Sequence, residues 1–302
     1  MLHTLKNRIK QNKWLYTFLT NHKRNEEILE RTRQALHRTT PQAFLKLVDV
    51  DIASHCNLNC YSCDHFSQLA EASFYDLAQY RKDMERLSAL TQAMVEKIHI
   101  IGGEPLLNPK CTEYCAITRR YFPHTKICII TNGILLLKQP REFWEACRDH
   151  RIELTPTKYP IRIDWEAIEQ KCKEYGITLY FFNQSPEKYS YKTALNPKGN
   201  CNPTESFMAC HRANNCTYLK NGKIFPCAVA PSSVYFNKHF NENLRLSDRD
   251  SIDIHEPSCT YADILEFLAK PIPFCRYCDI KNMTYQPWLR SKKDIYEYYP
   301  KP

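Results

Sequence analysis

Strands and helices alternate through the middle of this sequence, and that alternation limits the fold more than any other feature. Short apolar runs predict strands, and the segments between them have helical periodicity. The predicted strands are Leu45–Ile52, Lys97–Ile101, Lys126–Thr131, Arg151–Thr155 and Ile177–Phe182, and the predicted helices are Leu69–Val95, Pro109–Tyr121, Glu142–His150 and Asp164–Tyr175. Such alternation predicts right-handed β–α–β units around a parallel sheet. No sixth strand is obvious in the polar stretch 183–200, which is either a linker or the site of a short last strand.

The pattern changes at both ends of this α/β core, which we assign to residues 45–200. Residues 1–44 predict a helical N-terminal segment. Residues 201–285 predict a small cysteine-rich module, in which Asn221-Gly222 marks a tight β-hairpin. Residues 286–302 form a C-terminal tail.

Charge and cysteine content indicate the type of protein. The chain has 302 residues, fifteen cysteines and a net charge of +9. Without an export signal or an apolar run long enough to span a membrane, we expect a cytoplasmic protein. In a reducing compartment, many cysteines favour metal or catalytic sites over disulfides. Residues 1–40 carry nine Lys or Arg and three Glu, which indicates either a solvated helical face or a surface for an anionic partner.

Three cysteines, Cys56, Cys60 and Cys63, follow the first predicted strand with the spacing C-x3-C-x2-C. Three thiolates on one loop can hold a [4Fe–4S] cube and leave its fourth iron open, whereas electron-transfer cubes have four cysteine ligands. An open metal position is typical of a catalytic site. A zinc site or a chance cluster is the alternative.

Two further motifs lie at the carboxyl ends of the next two strands, where parallel sheets bind ligands. Gly102-Gly103-Glu104-Pro105 follows the second strand, and its glycines would let the backbone approach a ligand closely. Glu104 or neighbouring carbonyls could accept hydrogen bonds from an ammonium group. Thr131-Asn132-Gly133 ends the third strand. Each motif alone is more typical of a turn, but their joint placement indicates one site.

Together, the cysteine triad and these two strand ends resemble the radical S-adenosylmethionine (SAM) superfamily. The resemblance implies a partial (β/α)6 barrel in which Cys56, Cys60 and Cys63 hold a [4Fe–4S] cluster. It implies that SAM chelates the open iron, and that reduction yields a 5′-deoxyadenosyl radical. The backbone of Gly102, Gly103, Glu104 and Pro105 would face the amino group of SAM, and Asn132 would lie near its ribose. A flavodoxin or ferredoxin is the expected electron donor.

One position departs from the family pattern. The family usually has an aromatic residue directly before the third cysteine, close to the adenine, and here that residue is Ser62. Tyr61 or Phe66 could take its place.

A second group of cysteines, Cys210, Cys216, Cys227, Cys275 and Cys278, lies in the C-terminal module. Counting back from the hairpin turn places Cys216 opposite Cys227, and opposed side chains lie about 5 Å apart. The region also resembles the SPASM/twitch extension, which holds an auxiliary [4Fe–4S] cluster, and its spacing fits Cys210 better than Cys216. We therefore predict Cys227, Cys275 and Cys278 as ligands, with Cys210 or Cys216 as the fourth. Structural zinc is the alternative.

Two classes of function are compatible with these features. The first is a radical SAM enzyme acting on a small polar molecule, such as a sugar derivative, or on a peptide. The second is a non-catalytic iron–sulfur or zinc protein, which the open triad disfavours. Arg212 could meet a phosphate or carboxylate, although a surface position is the simpler interpretation. Nucleic acid is not an expected partner.

Overall fold

A computed structural model describes residues 13–182 and 189–301. Residues 1–12 of the predicted N-terminal segment, residues 183–188 of the polar stretch and Pro302 lie outside this range. Helix α1, Lys13–Thr39, confirms the predicted helical N-terminal segment. Its last turn is attached to the C-terminal module, because the Asn214 side-chain amide donates to the carbonyls of His37 and Thr40 at 2.8 Å each.

Helices and strands alternate in the order expected for an α/β protein. The helices that follow α1 are α2 Leu77–Thr91, α3 Cys111–Tyr121, α4 Arg141–Asp149, α5 Trp165–Tyr175, α6 Pro203–Ala209, α7 Val229–Phe240 and α8 Tyr261–Leu268. The strands are β1 Leu45–Ala53, β2 Val95–Gly102, β3 Lys126–Thr131, β4 Ile152–Pro156, β5 Tyr189–Tyr191, β6 Tyr218–Lys220, β7 Lys223–Phe225, β8 Ile252–Asp253 and β9 Tyr285–Pro287.

One sheet dominates the fold, with strand order β4-β3-β2-β1-β6-β7-β8. Strands β1 to β4 are parallel to one another, which confirms the predicted α/β class. Alternate residues of these strands, such as Val50, Ile100 and Ile129, pack against helices α2 to α5 in the main hydrophobic core. Because side chains alternate along a strand, the residues between them lie on the opposite face of the sheet.

Two predicted elements differ from the structure. The helix predicted over Leu69–Val95 begins only at Leu77, because the Asp76 side chain caps it by accepting from the Gln79 amide at 2.8 Å. It ends at Thr91, and left-handed Gln92 and Ala93 turn the chain into β2. The predicted fifth strand, Ile177–Phe182, is reduced to one parallel bridge between Leu154 and Leu179.

The C-terminal module and the core share one sheet. The predicted hairpin forms, with Lys220 opposite Lys223, and its first strand pairs in parallel with β1 through Asp49–Tyr218 and Val50–Leu219. Strand β9 pairs with β5 in a separate two-stranded sheet. Backbone pairing therefore crosses both residue 200 and residue 285, the positions where sequence alone placed the module boundaries.

Among the helices of residues 13–182 and 189–301, none is both long enough and apolar enough to cross a membrane.

Candidate functional site

The three cysteines of the triad lie on the loop that follows β1, at one small cavity. A cavity of about 100 Å³ has Cys60, Cys63 and Tyr159 in its wall. Cys56 lies beside it, since the charges of all three cysteines act on the Tyr159 hydroxyl. The structure therefore brings the triad together, as its spacing predicts.

Burial dominates the protonation of these thiols. It raises the pKa of Cys56 to about 12 and holds the pKa of Cys63 well above its usual value. Two donors act in the other direction at Cys56, because its sulfur accepts from the Leu58 amide at 3.3 Å and from the Asn132 side chain at 3.7 Å. Burial therefore favours the protonated form of Cys56 and Cys63, and binding a metal would release these protons.

The Gly-Gly-Glu-Pro segment packs directly on the start of the cysteine loop. A Cβ at Gly103 would lie 2.1 Å from the carbonyl oxygen of His55, and one at Gly102 would lie 2.3 Å from that of Ala53. Gly102 also has a φ of +145°, which side chains rarely adopt. These glycines are thus required for contact between β2 and the residues before Cys56, a role that the sequence analysis did not predict.

Glu104 connects the two strand ends. It is fully buried, and its carboxylate accepts from the Thr131 hydroxyl at 2.6 Å and from the Asn132 amide at 2.8 Å. Burial raises the pKa of Glu104 to about 7 despite these donors. The side chain is therefore occupied in bracing Thr131-Asn132, and within Gly102–Pro105 the backbone carbonyls remain the acceptors suited to an ammonium group.

Asn132 has a second set of contacts that points at the triad. Its side-chain amide donates to Asn57 Oδ1 at 2.7 Å as well as to the Cys56 sulfur. The residue is 5% exposed. Asn132 therefore orders the cysteine loop in addition to any contact with a ribose, which stays a prediction.

Of the two aromatic residues proposed from the sequence, Tyr61 lies in the wall of the triad cavity, whereas Phe66 does not. Ser62 is buried, with its hydroxyl accepting from the Thr193 amide at 2.8 Å. Phe66 is fully buried in a second core, against Phe236 and Tyr298, so the suggestion that it packs on an adenine at the site is wrong. Tyr159 also lies in the wall of this cavity, and Trp288 packs against Tyr159.

These two aromatic residues form a pair at the triad. Their ring centroids are 5.7 Å apart, and the Trp288 indole nitrogen lies 3.2 Å from the Cys60 sulfur. Burial, followed by the charges of Cys60 and Cys56, raises the pKa of Tyr159 well above its usual value.

The face of the sheet opposite the helices is polar, and we call it the polar face. It carries side chains from five strands and the triad loop, namely Asp49, Asp51, His65, His99, Cys128, Thr155 and Tyr218. Asp49 pairs with His99 at 2.9 Å. Burial lowers the pKa of His99, but Asp49 and Cys128 outweigh it and raise the value to about 9. Such a face offers both donors and acceptors to a ligand.

Asp51 contacts the triad loop through His65. Its Oδ2 atom accepts from His65 at 3.1 Å and from the Tyr218 hydroxyl. Its Oδ1 atom is buried and has no hydrogen-bond partner among the described residues. A buried carboxylate oxygen without a donor is costly, so this atom is suited to a hydroxyl or amino group of a bound molecule.

The structure groups four of the five C-terminal cysteines. Cys210, Cys227 and Cys275 all raise the pKa of Cys278 after burial itself, and Cys227 and Cys210 act on Cys275, whose pKa burial raises to about 12. Cys216 differs from these four: after burial, the charges of Asp49 and Arg212 have the largest effects on its pKa, and that of Cys227 has the smallest. The β6–β7 ladder ends at Tyr218–Phe225, so Cys216 and Cys227 do not oppose each other in it.

Cys227 lies at the beginning of α7. The backbone amides of Ala230 and Val229 donate to its sulfur and oppose the effect of burial, which raises the pKa of Cys227 to about 11. Amide donors at a helix N-terminus favour a thiolate, which is the form that a metal binds.

Arg212 lies between the two cysteine groups. It is 6% exposed, so its interpretation as a surface residue is wrong. Its guanidinium donates to Asp64 Oδ2 at 3.0 Å and to the Tyr191 hydroxyl, and its charge acts on Cys227 and Cys216. Asp64 directly follows Cys63, so this ion pair links the triad loop to the second cysteine group.

A site for a single metal ion differs from a cluster site, because several side chains must then bind the same atom. Within the described ranges, no three His, Cys, Asp or Glu side chains are placed to hold one metal ion. In a cube, by contrast, each thiolate binds a different iron atom.

Comparison with known families identifies the domain around the triad. Residues 50–179 match the family model of the radical SAM superfamily. The chain carries a radical SAM domain. The matched residues span β1 to the segment beside β4, and they include the triad, the Gly-Gly-Glu-Pro segment and Asn132.

Curated relatives match about a third of this chain. A GTP 3′,8-cyclase of Chlorobaculum tepidum is 35% identical over 103 residues, which are 34% of this chain and 30% of the relative. An S-adenosyl-L-methionine-dependent 2-deoxy-scyllo-inosamine dehydrogenase of Niallia circulans is 33% identical over 94 residues, 31% of this chain and 37% of the relative. The match thus spans about a third of these relatives' length.

Among solved structures, BtrN in complex with AdoMet and 2-DOIA covers 80% of this chain and 94% of its own, with a TM-score of 0.50 and 17% identity. This likeness supports the fold. The cofactors of the radical SAM superfamily are a [4Fe–4S] cluster and SAM, and the site fits them: Cys60 and Cys63 line a small cavity, and amide donors point at the Cys56 sulfur. Cys56, Cys60 and Cys63 would hold the cluster.

Proposed function

We propose that this chain is a radical SAM enzyme that acts on a small polar substrate and has an auxiliary [4Fe–4S] cluster. One observation carries the proposal: the three-cysteine loop follows the same strand, β1, that presents Asp49 and Asp51 on the polar face. When bound, the cluster and SAM supply a 5′-deoxyadenosyl radical that removes a hydrogen atom from the substrate. The chain's own residues bind the cofactors and orient the substrate beside them.

The polar face supports a hydroxyl-bearing substrate, for example a sugar derivative. Asp51 Oδ1 needs a donor, and His65 and His99 each use one ring nitrogen to bind a carboxylate. Hydroxyl groups both donate and accept, so they suit a face of this composition. The similarity to a 2-deoxy-scyllo-inosamine dehydrogenase is consistent with such a substrate.

The auxiliary site is proposed on Cys210, Cys227, Cys275 and Cys278. The charges of these thiols act on one another, whereas after burial the pKa of Cys216 is affected most by Asp49 and Arg212. Four thiolates suit one closed cube, in keeping with the single auxiliary cluster that the resemblance to the SPASM/twitch extension implies. In this proposal the protein is cytoplasmic, and a flavodoxin or ferredoxin supplies the low-potential electron.

Release of 5′-deoxyadenosine tests the proposed activity. Anaerobically reconstituted protein is incubated with SAM and dithionite, and the product is quantified by chromatography. We expect slow release without substrate and faster release with 2-deoxy-scyllo-inosamine or a related aminocyclitol. A protein with a filled triad cluster that never releases 5′-deoxyadenosine would be a non-catalytic iron–sulfur protein. Acceleration by a peptide but by no polar small molecule would favour the maturase alternative.

Asp51→Asn is expected to reduce substrate-stimulated release about 10- to 100-fold, because a hydrogen bond to a charged group contributes about 1.5–3 kcal/mol. Slow release without substrate should be unchanged, since the triad is intact. Asp149→Asn, at an exposed position of α4, is the matched control. Equal stimulation of both variants by the same aminocyclitol would show that Asp51 does not bind substrate.

A further inference from the structure

The C-terminal segment 285–299, which we call the strap, packs along the cysteine loop. Two backbone hydrogen bonds join them: the Tyr61 amide donates to the Leu289 carbonyl, and the Ser291 amide donates to that of Asn59, both at 2.9 Å. Between these bonds, Cys60 forms an antiparallel bridge with Arg290. The strap therefore fixes the backbone around the second cysteine of the triad.

A buried carboxylate and a buried phenol extend this attachment. Glu297 is 5% exposed, and it accepts from the Ser62 amide at 3.4 Å and the Ser291 hydroxyl at 2.7 Å. The Tyr298 hydroxyl donates to the Cys63 carbonyl at 3.0 Å. Every residue from Asn59 to Cys63 is thus in contact with a segment more than 200 residues away.

Trp288 of the strap contacts a ligand sulfur itself. Its indole N–H, which can only donate, lies 3.2 Å from Cys60 Sγ. The ring is fixed from the other side by Tyr159, edge to face at 5.7 Å. A donor held in this way stabilises negative charge on the sulfur, and the charge on cluster sulfurs increases when a cluster is reduced.

We propose that Trp288 is a positioning residue for the triad cluster, and that its N–H holds Cys60 and favours the reduced state of the cluster. The inference rests on the proposed function only in taking Cys60 as a cluster ligand. Hydrogen bonds to sulfur are among the factors that set the reduction potentials of iron–sulfur clusters. A segment outside the matched residues 50–179 would then tune the radical SAM site.

The test compares reduction potentials of reconstituted full-length proteins by EPR-monitored titration without SAM. To isolate the triad cluster, Cys275→Ala and Cys278→Ala are present in every protein compared. Trp288→Phe keeps an aromatic ring and loses the N–H. We expect its iron content to be unchanged and its reduction equilibrium to shift about tenfold towards the oxidised form, about 59 mV for one electron. Leu289→Ala is the control, because that residue binds the loop through its backbone and its side chain is 50% exposed.

If the Trp288→Phe protein loses iron, the contact between Trp288 and the cluster can still be measured by spectroscopy. The protein that carries Cys275→Ala and Cys278→Ala but keeps Trp288 is labelled with indole-¹⁵N tryptophan. ENDOR of its reduced triad cluster should then detect a coupling to the ¹⁵N of the Trp288 indole. Equal potentials in the Trp288→Phe and Leu289→Ala proteins, or no ¹⁵N coupling, would overturn the role of Trp288. Failure of the triad to assemble any cluster in wild-type protein would instead overturn the proposed function.

Discussion

Replacing Cys56, Cys60 and Cys63 together by alanine is expected to reduce the release of 5′-deoxyadenosine from SAM by about 100-fold or more. Losses of this size are typical when essential catalytic groups are removed. The physical reason is that a single loop supplies all three ligands, so that no other thiol in contact with the cavity can replace them. Product is measured by chromatography after anaerobic reconstitution and reduction.

The same triple variant should keep the auxiliary site. Cys210, Cys227, Cys275 and Cys278 lie in the module and not on the triad loop, and we expect about four irons per chain, one cube's worth. Cys172→Ala is the matched control, because Cys172 is a buried cysteine of the helical core, and it should retain full iron content and activity. Wild-type release of 5′-deoxyadenosine by the triple variant would contradict the assignment of the triad.

Local sequence patterns predicted the parts of the fold that depend on neighbouring residues. Strand β3 has the predicted bounds, and the hairpin turns at Asn221-Gly222 as predicted. The predicted start of α2 was wrong because apolar residues before Asp76 continue the helical periodicity. The Asp76 side chain caps the helix and so determines where it begins.

The parts that sequence did not predict depend on distant contacts. Trp288 is 228 residues from Cys60, and nothing near Arg212 in sequence reveals the Asp64 carboxylate that pairs with it. The polar face did have a local signal. Asp49 and Asp51 alternate with Val48, Val50 and Ile52 in a strand that is central in the sheet, and charged residues at alternate positions of such a strand indicate a second, polar face.

Loss of the C-terminal cysteines is expected to change the iron content of the protein strongly. Anaerobically purified wild-type protein should hold about eight irons, two cubes' worth, with negligible zinc. Cys275→Ala with Cys278→Ala should remove about half of this iron and leave the triad cluster's spectrum unchanged, because each cube requires its own set of thiolates. Iron and zinc are measured together by mass spectrometry of metals, with EPR of the reduced proteins.

Single variants then distinguish the fourth ligand. Cys210→Ala should behave like the Cys275 and Cys278 variants, since Cys210 acts on the protonation of Cys227, Cys275 and Cys278. Cys216→Ala should keep about eight irons, since Cys216 is influenced chiefly by burial, Asp49 and Arg212. The reverse result would place the fourth ligand at Cys216. Four irons with one stoichiometric zinc would make the module a structural zinc site, since zinc also accepts four thiolates, and a redox role for it would then have no basis.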